Sequence, residues 1–263
     1  MKKTLILTTA LVGYGFAANA DVTVMSWGGA YGEAQTEAFV KPFMAATGIN
    51  TIMVDSDNPA TPVKAMVESG NVTVDVANIE YADAIRLCDE GILEPIDAST
   101  LPAGSDGTPA TEDFIPGAIT ECGVSTDVWS NVFAYDTTKF PEGPTTVADF
   151  FDLEKFPGKR GMYKWGAGMW EALLMADGVA PADLYPLNIE RAHKKLEGFK
   201  ANVAGYWGGG AESQSMLMNG DASMVLVWST RAKLLEQDSG GDISFTWDQG
   251  LIAPGSMAVI KGN

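Results

Sequence analysis

Strand-like and helix-like segments alternate from residue 22 onward, and this alternation limits the folds that the chain can adopt. The strand-like run VTVMSW (22–27) precedes GEAQTEAFVKPFMAATG (32–48), in which apolar residues recur at helical spacing up to a final glycine. The strand-like INTIMVDS (49–56) and the helical PATPVKAMVESG (59–70) then repeat the order. Such an alternation indicates an α/β fold with mostly parallel strand pairing.

The junctions between strand and helix are the predicted place for a ligand. A third unit, VDVANIEYADAIRLCDEGILEPI (74–96), changes from strand to helix at Glu80 and Tyr81. Open α/β sheets bind ligands beyond the carboxyl ends of their strands, which is where these junctions lie. At the first junction, Gly28 and Gly29 allow a sharp turn that presents Trp27.

The first 20 residues have the pattern of a secretory signal peptide. They contain Lys2 and Lys3, an apolar centre and the small-residue end Ala18-Asn19-Ala20. We therefore expect cleavage before Asp21 and a mature chain that works outside the cytoplasm. No later segment approaches the roughly 20 consecutive apolar residues of a membrane span.

The two cysteines, Cys88 and Cys122, have two open interpretations in an exported protein. An oxidising compartment permits a disulfide between them. They are otherwise a pair of buried thiols, and their spacing in the sequence does not decide between the two states.

Charge and reactive groups exclude several classes of function. The chain has 17 basic and 34 acidic residues, and a net charge of −17 argues against nucleic acid as a partner. His193 is the only histidine and lies on an amphipathic helix, so a catalytic triad or a multi-histidine metal site has little support. The glycines of GGAYG do not match a nucleotide-binding loop. The sequence predicts a protein without enzyme activity, cofactor or bound metal.

Aromatic residues at strand ends predict the walls of a ligand cleft. Any one of them could instead be a core residue, but their shared position favours a common site if two sheets face each other. Glu80 supplies an anion near them, whereas Lys164 and Arg231 supply cations, so the site suits a zwitterion unless Glu80 pairs with one of the cations. The predicted ligand-binding residues are Trp27, Tyr31, Glu80, Tyr81, Trp129, Lys164, Trp165, Trp228 and Arg231.

Several motifs resemble those of bacterial extracellular solute-binding proteins of ABC transporters, and the chain is most similar to the spermidine/putrescine-binding periplasmic family. They are VMSWGGAY (24–31), the 74–97 segment ending EPID, VWSNVFAYDTTKF (128–140), TTVADFFDLEKFPGKRGM (145–162) and MNGDASMVLVWS (218–229). The resemblance implies a two-lobed type II periplasmic binding fold with the ligand cleft between the lobes. It also implies that Trp27 and Trp228 pack against a ligand and that Glu80 replaces a ligand-contacting serine.

The resemblance divides the chain into a signal peptide (1–20), a first lobe (21–127), a second lobe (128–249) and a return strand toward the first lobe (250–263). Compared with the family, the C-terminal part of the first lobe is expected to be missing, as in a truncated chain. The family's amine-binding carboxylates of the second lobe align with 164–168, which contains no acid, and a ligand-binding aspartate aligns with Gly255.

The expected function is therefore that of a periplasmic, monomeric receptor that captures a small nitrogen-containing solute and delivers it to an ABC permease in the inner membrane. By resemblance the solute is a polyamine. The departures leave an amino acid, a betaine or a carboxylated amine as alternatives, and a secreted α/β hydrolase is the alternative from another class of protein. A signalling receptor with the same pocket also remains open.

Overall fold

The computed structural model describes residues 21–262, so the predicted signal peptide lies outside the described residues. Eight strands are present there: β1 Val22–Ser26, β2 Thr51–Asp55, β3 Val76–Glu80, β4 Val124–Asp136, β5 Arg160–Tyr163, β6 Val203–Trp207, β7 Met224–Trp228 and β8 Ile243–Val259. The α-helices are α1 Gly29–Gln35, α2 Lys41–Thr47, α3 Ala60–Ser69, α4 Tyr81–Asp89, α5 Ala110–Asp113, α6 Val147–Phe151, α7 Met169–Ala176, α8 Ile189–Phe199, α9 Gly210–Met218 and α10 Ser229–Asp238. No helix in this part of the chain is long and apolar enough to cross a bilayer.

All eight strands form a single mixed sheet in the order β2-β1-β3-β8-β4-β7-β5-β6. The sequence predicted an α/β fold with mostly parallel pairing, and four of the seven strand pairs are parallel. The shared cleft was expected on the condition that two sheets face each other, whereas the structure has one continuous sheet. Parallel pairs join β1 to β2 and β3, and β5 to β6 and β7, but β8 is antiparallel to both β3 and β4, and β4 is antiparallel to β7. The two long strands β4 and β8 pair with each other and run through the middle of the sheet, which makes it continuous.

The described residues pack into two separate hydrophobic cores. The first core contains Val63, Ile79 and Leu87 together with Ile260 from the end of the chain. The second, larger core contains Phe133, Phe150, Trp207, Leu226 and many others between Val132 and Ile243. We call the parts around them the first and second lobes. The predicted boundary after residue 127 falls inside β4, between Cys122 of the first core and Val132 of the second.

A disulfide joins Cys88, at the end of α4, to Cys122, just before β4, with the two Cα atoms 5.7 Å apart. Cys122 is buried in the first core, and Cys88 packs against the edge of that core. The bridge closes a segment that contains the irregular, Pro- and Gly-rich stretch between residues 98 and 117. This stretch carries only a short 3₁₀ turn and α5, as its composition predicts.

Candidate functional site

A cavity of about 110 Å³ lies where the two lobes meet, beyond the carboxyl ends of β1, β3 and β7. This is the edge at which open α/β sheets place ligands. The long strands β4 and β8 contribute its floor, and α1 and α10 contribute side chains from either lobe. The lining residues are Trp27, Tyr31, Asn78, Ile79, Glu80, Asp127, Val128, Trp129, Trp228, Thr230, Arg231 and Gly255.

Two glycines shape the first junction. Gly28 and Gly29 have φ angles of 65° and 55°, a left-handed conformation that side chains disfavour. A Cβ atom on Gly28 would lie 2.5 Å from the Asp55 carboxylate, and one on Gly29 would lie 3.0 Å from Nη2 of Arg231. Because these side chains lie so close to the backbone, only glycine fits at both positions of the turn between β1 and α1. The turn places Trp27 at the cavity.

Hydrogen bonds fix the polar side chains of the first lobe. The Trp27 indole Nε1 donates to Oδ1 of Asn78 at 3.0 Å, and the Tyr31 hydroxyl donates to Oδ1 of Asp127 at 2.8 Å. Because an indole N–H only donates, it must face the amide oxygen of Asn78. The amide Nδ2 of Asn78 is then buried and has no hydrogen-bond partner among the residues described. Burial and the charge of Asp127 raise the pKa of Tyr31, so its hydroxyl keeps its proton.

The aromatic wall of the cavity spans both lobes. Trp228 contacts the edge of Trp27 with ring centroids 5.6 Å apart and planes at 78°. On its other side Trp228 packs against Trp207 at 5.0 Å and Tyr163 at 5.4 Å. Trp207 is fully buried and donates from Nε1 to the carbonyl of Leu226, so the wall rests on the second core. This support holds the Trp228 ring in place.

Arg231 places a buried cation in the cavity lining. Its side chain is 7% exposed, and the one hydrogen bond that it makes within residues 21–262 runs from Nη2 to the carbonyl oxygen of Gly28 at 3.5 Å. No carboxylate within residues 21–262 forms an ion pair with it. Burial lowers its pKa. A buried charge without a counterion is unfavourable, so this guanidinium is suited to bind an anionic group.

Carboxylates lie in the same cavity lining. Glu80 ends β3 and is 9% exposed, and its carboxylate has no hydrogen-bond or ion-pair partner in the described part of the chain. Burial, and secondarily the charges of Asp83 and Asp127, raise its pKa to about 8. The carboxylate of Asp127 lies over Gly255, where a Cβ atom would be 2.6 Å from Oδ1.

The cavity brings together six of the nine predicted ligand-binding residues: Trp27, Tyr31, Glu80, Trp129, Trp228 and Arg231. The other three lie outside its lining. Tyr81 starts α4, and its hydroxyl donates to the carbonyl of Gly117 at 3.2 Å. Lys164 is exposed, with Nζ 5.0 Å from the ring centroid of Trp165. Trp165 packs against the second core.

Sequence reasoning did not identify Asn78, Asp127 or Thr230 as lining residues, and it singled out Gly255 only as the position of a ligand-binding aspartate in the resembling family. The spacing of residues within the strands could have indicated two of them. Asp127 lies two residues before Trp129 in β4, and Asn78 lies two residues before Glu80 in β3, so each shares a strand face with a predicted site residue.

The groups used in metal and triad chemistry lie elsewhere. The ring of His193, in α8, is 4.8 Å from that of Trp170 and outside the cavity lining. Within residues 21–262, no group of three or more His, Cys, Asp and Glu residues is placed to hold a metal ion. The cavity is therefore an aromatic cleft with groups of both charges, as binding sites for small solutes often are.

Known proteins resemble this chain over most of its length. Residues 38–263 match the family model described as bacterial extracellular solute-binding protein. The chain is 38% identical to the gamma-aminobutyric acid-binding protein of Pseudomonas aeruginosa, in a match that covers 96% of this chain and 72% of that protein.

Solved structures share the fold. An ABC transporter substrate-binding protein from Bradyrhizobium japonicum is 33% identical with a TM-score of 0.82, over 93% of this chain and 74% of that one. The structure of a GABA receptor is 37% identical with a TM-score of 0.79, over 92% of this chain and 73% of that one. These relatives are solute-binding proteins and not enzymes, and the mixed α/β fold is theirs. The chain belongs to the bacterial extracellular solute-binding protein family.

Proposed function

We propose that this protein is the periplasmic receptor of an ABC importer and that it captures a small zwitterionic amino acid of the γ-aminobutyrate class. It acts as a monomer after export and passes the solute to an inner-membrane permease. No covalent bond of the solute is made or broken. Two relatives named for γ-aminobutyrate, at 38% and 37% identity, support this ligand class.

The observation that carries the proposal is the buried, unpaired guanidinium of Arg231 in a cavity that also contains Glu80. An arginine fork binds a carboxylate through two parallel hydrogen bonds. The cavity contains a cation and carboxylates. A solute with one carboxylate and one ammonium group would therefore give each of these charged groups a partner of opposite charge.

A polyamine, the ligand expected from the sequence resemblance, fits the cavity less well. The acidic lining and the aromatic wall of Trp27 and Trp228 would accept one ammonium group. A second ammonium group would meet Arg231, and two like charges brought together in a desolvated site repel each other strongly. Arg231 is therefore the feature that selects against a diamine.

Contacts that cross the cleft support the proposal that the lobes close around the solute. Trp27 of the first lobe touches Trp228 of the second, and Gly28 accepts the long hydrogen bond from Arg231. A ligand shifts the balance between open and closed arrangements only by binding one of them more tightly. A carboxylate on Arg231 and an ammonium group near Glu80 would give the closed arrangement that advantage.

A thermal-shift screen tests the proposal. The purified protein is heated with γ-aminobutyrate, α-amino acids, glycine betaine, putrescine, spermidine and butyrate in turn. A ligand present at about 100 times its Kd stabilises the folded state by about 2.7 kcal/mol, which raises Tm measurably. We expect the largest shift with γ-aminobutyrate or a related ω-amino acid.

Two outcomes of the screen contradict the proposal. A larger shift with putrescine than with any zwitterion would replace the ligand class with that of the polyamines. Turnover of a chromogenic ester or glycoside, with no solute raising Tm, would instead support the hydrolase alternative.

A further inference from the structure

We propose that Glu80 and Asp127 together form the subsite for the cationic end of the ligand, and that Glu80 gives up a proton to the solvent when an ammonium group binds. This inference rests on the proposed function for the presence of an ammonium group in the ligand. It assigns the recognition of that group to two residues of this chain and predicts a proton linkage.

The strand register places the two carboxylates on either side of an open gap. Glu80 of β3 pairs with Gly255 of β8, and Gly255 pairs in turn with Asp127 of β4. Neighbouring strands are about 4.8 Å apart, so the two acidic residues flank Gly255 at about 10 Å between Cα atoms. Gly255 has no side chain to fill the space, and the Asp127 carboxylate leans over it.

Both carboxylates keep acceptor atoms free for a ligand. Tyr31 and Thr126 donate to Oδ1 of Asp127, and within the described residues Oδ2 of Asp127 accepts no hydrogen bond. The Glu80 carboxylate accepts none at all there, although the side chain is buried and lines the cavity. An ammonium group has three donors, which suits a site with several unused carboxylate oxygens.

The charged groups around Glu80 explain why its carboxyl group is protonated before the ligand binds. Asp83 of α4, Asp127 of β4 and Glu171 of α7 all act on Glu80 as negative charges, after burial as the main influence. Arg231 of α10 lines the same cavity as a cation, and the Tyr31 hydroxyl of α1 faces Asp127. Glu80 therefore holds its proton near neutral pH in the empty site. A nearby ammonium group reverses this balance, the carboxyl O–H bond ionises, and the proton passes to water.

Glu171 adds an acidic group from the second lobe. It is 9% exposed, its Oε1 accepts the Tyr185 hydroxyl at 2.9 Å, and its Oε2 is buried without a partner among the described residues. The charge of Glu171 acts on Glu80 across the cleft and helps to keep Glu80 protonated in the empty site.

Calorimetry in two buffers tests the proton linkage directly. Binding of γ-aminobutyrate is measured at pH 7 in phosphate and in Tris, which differ widely in ionisation enthalpy, so the difference in heat gives the number of protons released. We expect close to one proton released per amine bound by the unsubstituted protein, and none when butyrate binds. An equal heat in the two buffers for γ-aminobutyrate would overturn the proposal.

Three variants separate the roles of the carboxylates. We expect Glu80→Gln to abolish proton release, and both Glu80→Gln and Asp127→Asn to weaken γ-aminobutyrate binding by about tenfold or more while butyrate binding stays within about twofold. Asp248→Asn, which removes an exposed charge outside the cavity, should behave as the unsubstituted protein. Melting curves of each variant establish that it is folded. Binding of γ-aminobutyrate to Glu80→Gln within twofold of the unsubstituted protein would overturn the subsite.

The same measurements distinguish this inference from the proposed function. If putrescine binds in place of γ-aminobutyrate and both carboxylate variants weaken it, the subsite stands while the assignment of Arg231 to a ligand carboxylate fails. If γ-aminobutyrate binds and only substitution of Arg231 weakens it, the proposed function stands and the subsite fails. If none of these amines binds, both are overturned.

Discussion

The guanidinium of Arg231 reaches across the cleft to the carbonyl oxygen of Gly28, with Nη2 and the oxygen 3.5 Å apart. This bond is long, and it is the only one that the buried guanidinium makes within residues 21–262. The lobes are therefore joined at this point by a cation, and most of the N–H donors of its guanidinium have no acceptor within residues 21–262. A ligand carboxylate at Arg231 would supply the missing partner.

Arg231→Met should weaken the binding of carboxylate ligands by about tenfold or more, because a charge-assisted pair at a desolvated site is lost. The same change should raise the free energy of unfolding of the empty protein by about 1 kcal/mol or more, since a buried unpaired charge is removed. Titration of intrinsic fluorescence and urea unfolding measure the two effects. Arg191→Met is the control, because Arg191 is exposed and ion-paired with Asp177. Loss of both affinity and stability in Arg231→Met would contradict the assigned role.

The local pattern of the sequence predicted Trp27, Glu80 and Arg231 as ligand-binding residues. All three line the cavity, and their contact with a ligand stays a prediction. Each lies at or just after the end of a short strand, and the junctions of an α/β sheet meet at one edge. The same reasoning placed Lys164 and Trp165 at the site, although the structure has Lys164 exposed and Trp165 against the second core. A strand end predicts the edge of the sheet, but it does not fix which way a side chain points from that edge.

The local sequence pattern did not predict the pairing of the long strands in the middle of the sheet. β8 runs for 17 residues through Pro254 and Gly255, both of which usually interrupt a strand, and its partners β3 and β4 are far away in the sequence. Asp127 enters the cavity only because β8 sets its register beside Gly255. Register between distant strands depends on tertiary packing, and one sequence carries little local information about it.

Trp27→Ala should weaken ligand binding, because the edge-to-face contact with Trp228 crosses the cleft and closes one wall of the cavity. Aromatic pairs of this geometry contribute about 0.5–1.5 kcal/mol beyond the area they bury, so affinity should fall by about threefold to tenfold. Calorimetric titration with γ-aminobutyrate measures the change. Trp247→Ala is the matched control, since Trp247 is 62% exposed and outside the cavity lining. An equal loss in both variants would count against a specific role for Trp27.

Stability of the ligand-free protein should fall as the pH rises from about 4.5 to about 8 through the contribution of Glu80. The folded state binds the Glu80 proton more tightly than the unfolded state over this range, so deprotonation favours unfolding. The contribution of this group is at most about 5 kcal/mol when the pKa shift is converted to free energy. Urea unfolding at several pH values measures it.

Glu80→Gln gives the comparison for this pH dependence. It should leave stability near pH 4.5 almost unchanged and increase it at pH 8, because the amide cannot ionise. A curve for Glu80→Gln parallel to that of the unsubstituted protein would show that Glu80 titrates normally.

The disulfide between Cys88 and Cys122 should stabilise the first lobe. Its two cysteines are 34 positions apart, and closing a loop of this length lowers the entropy of the unfolded chain by an amount worth about 3–4 kcal/mol. The double substitution Cys88→Ala and Cys122→Ala should lower the urea midpoint accordingly. Addition of a reducing agent to the unsubstituted protein should give a similar decrease and should leave the double variant unaffected. If reduction changes neither protein, the bridge contributes nothing to stability.

Gly255→Ala tests whether the space beside Asp127 matters to the ligand. The added Cβ would lie 2.6 Å from Oδ1 of Asp127, so the carboxylate must move away from the gap that faces Glu80. We expect γ-aminobutyrate affinity to fall by about tenfold or more, and butyrate affinity to change little. Gly198→Ala is the matched control, because Gly198 lies in α8 with no atom within 4 Å of the added Cβ and its φ is not positive. That substitution should leave affinity unchanged and raise stability by about 1 kcal/mol through helix propensity. Unchanged γ-aminobutyrate affinity in Gly255→Ala would mean that the ammonium group does not enter the gap above Gly255.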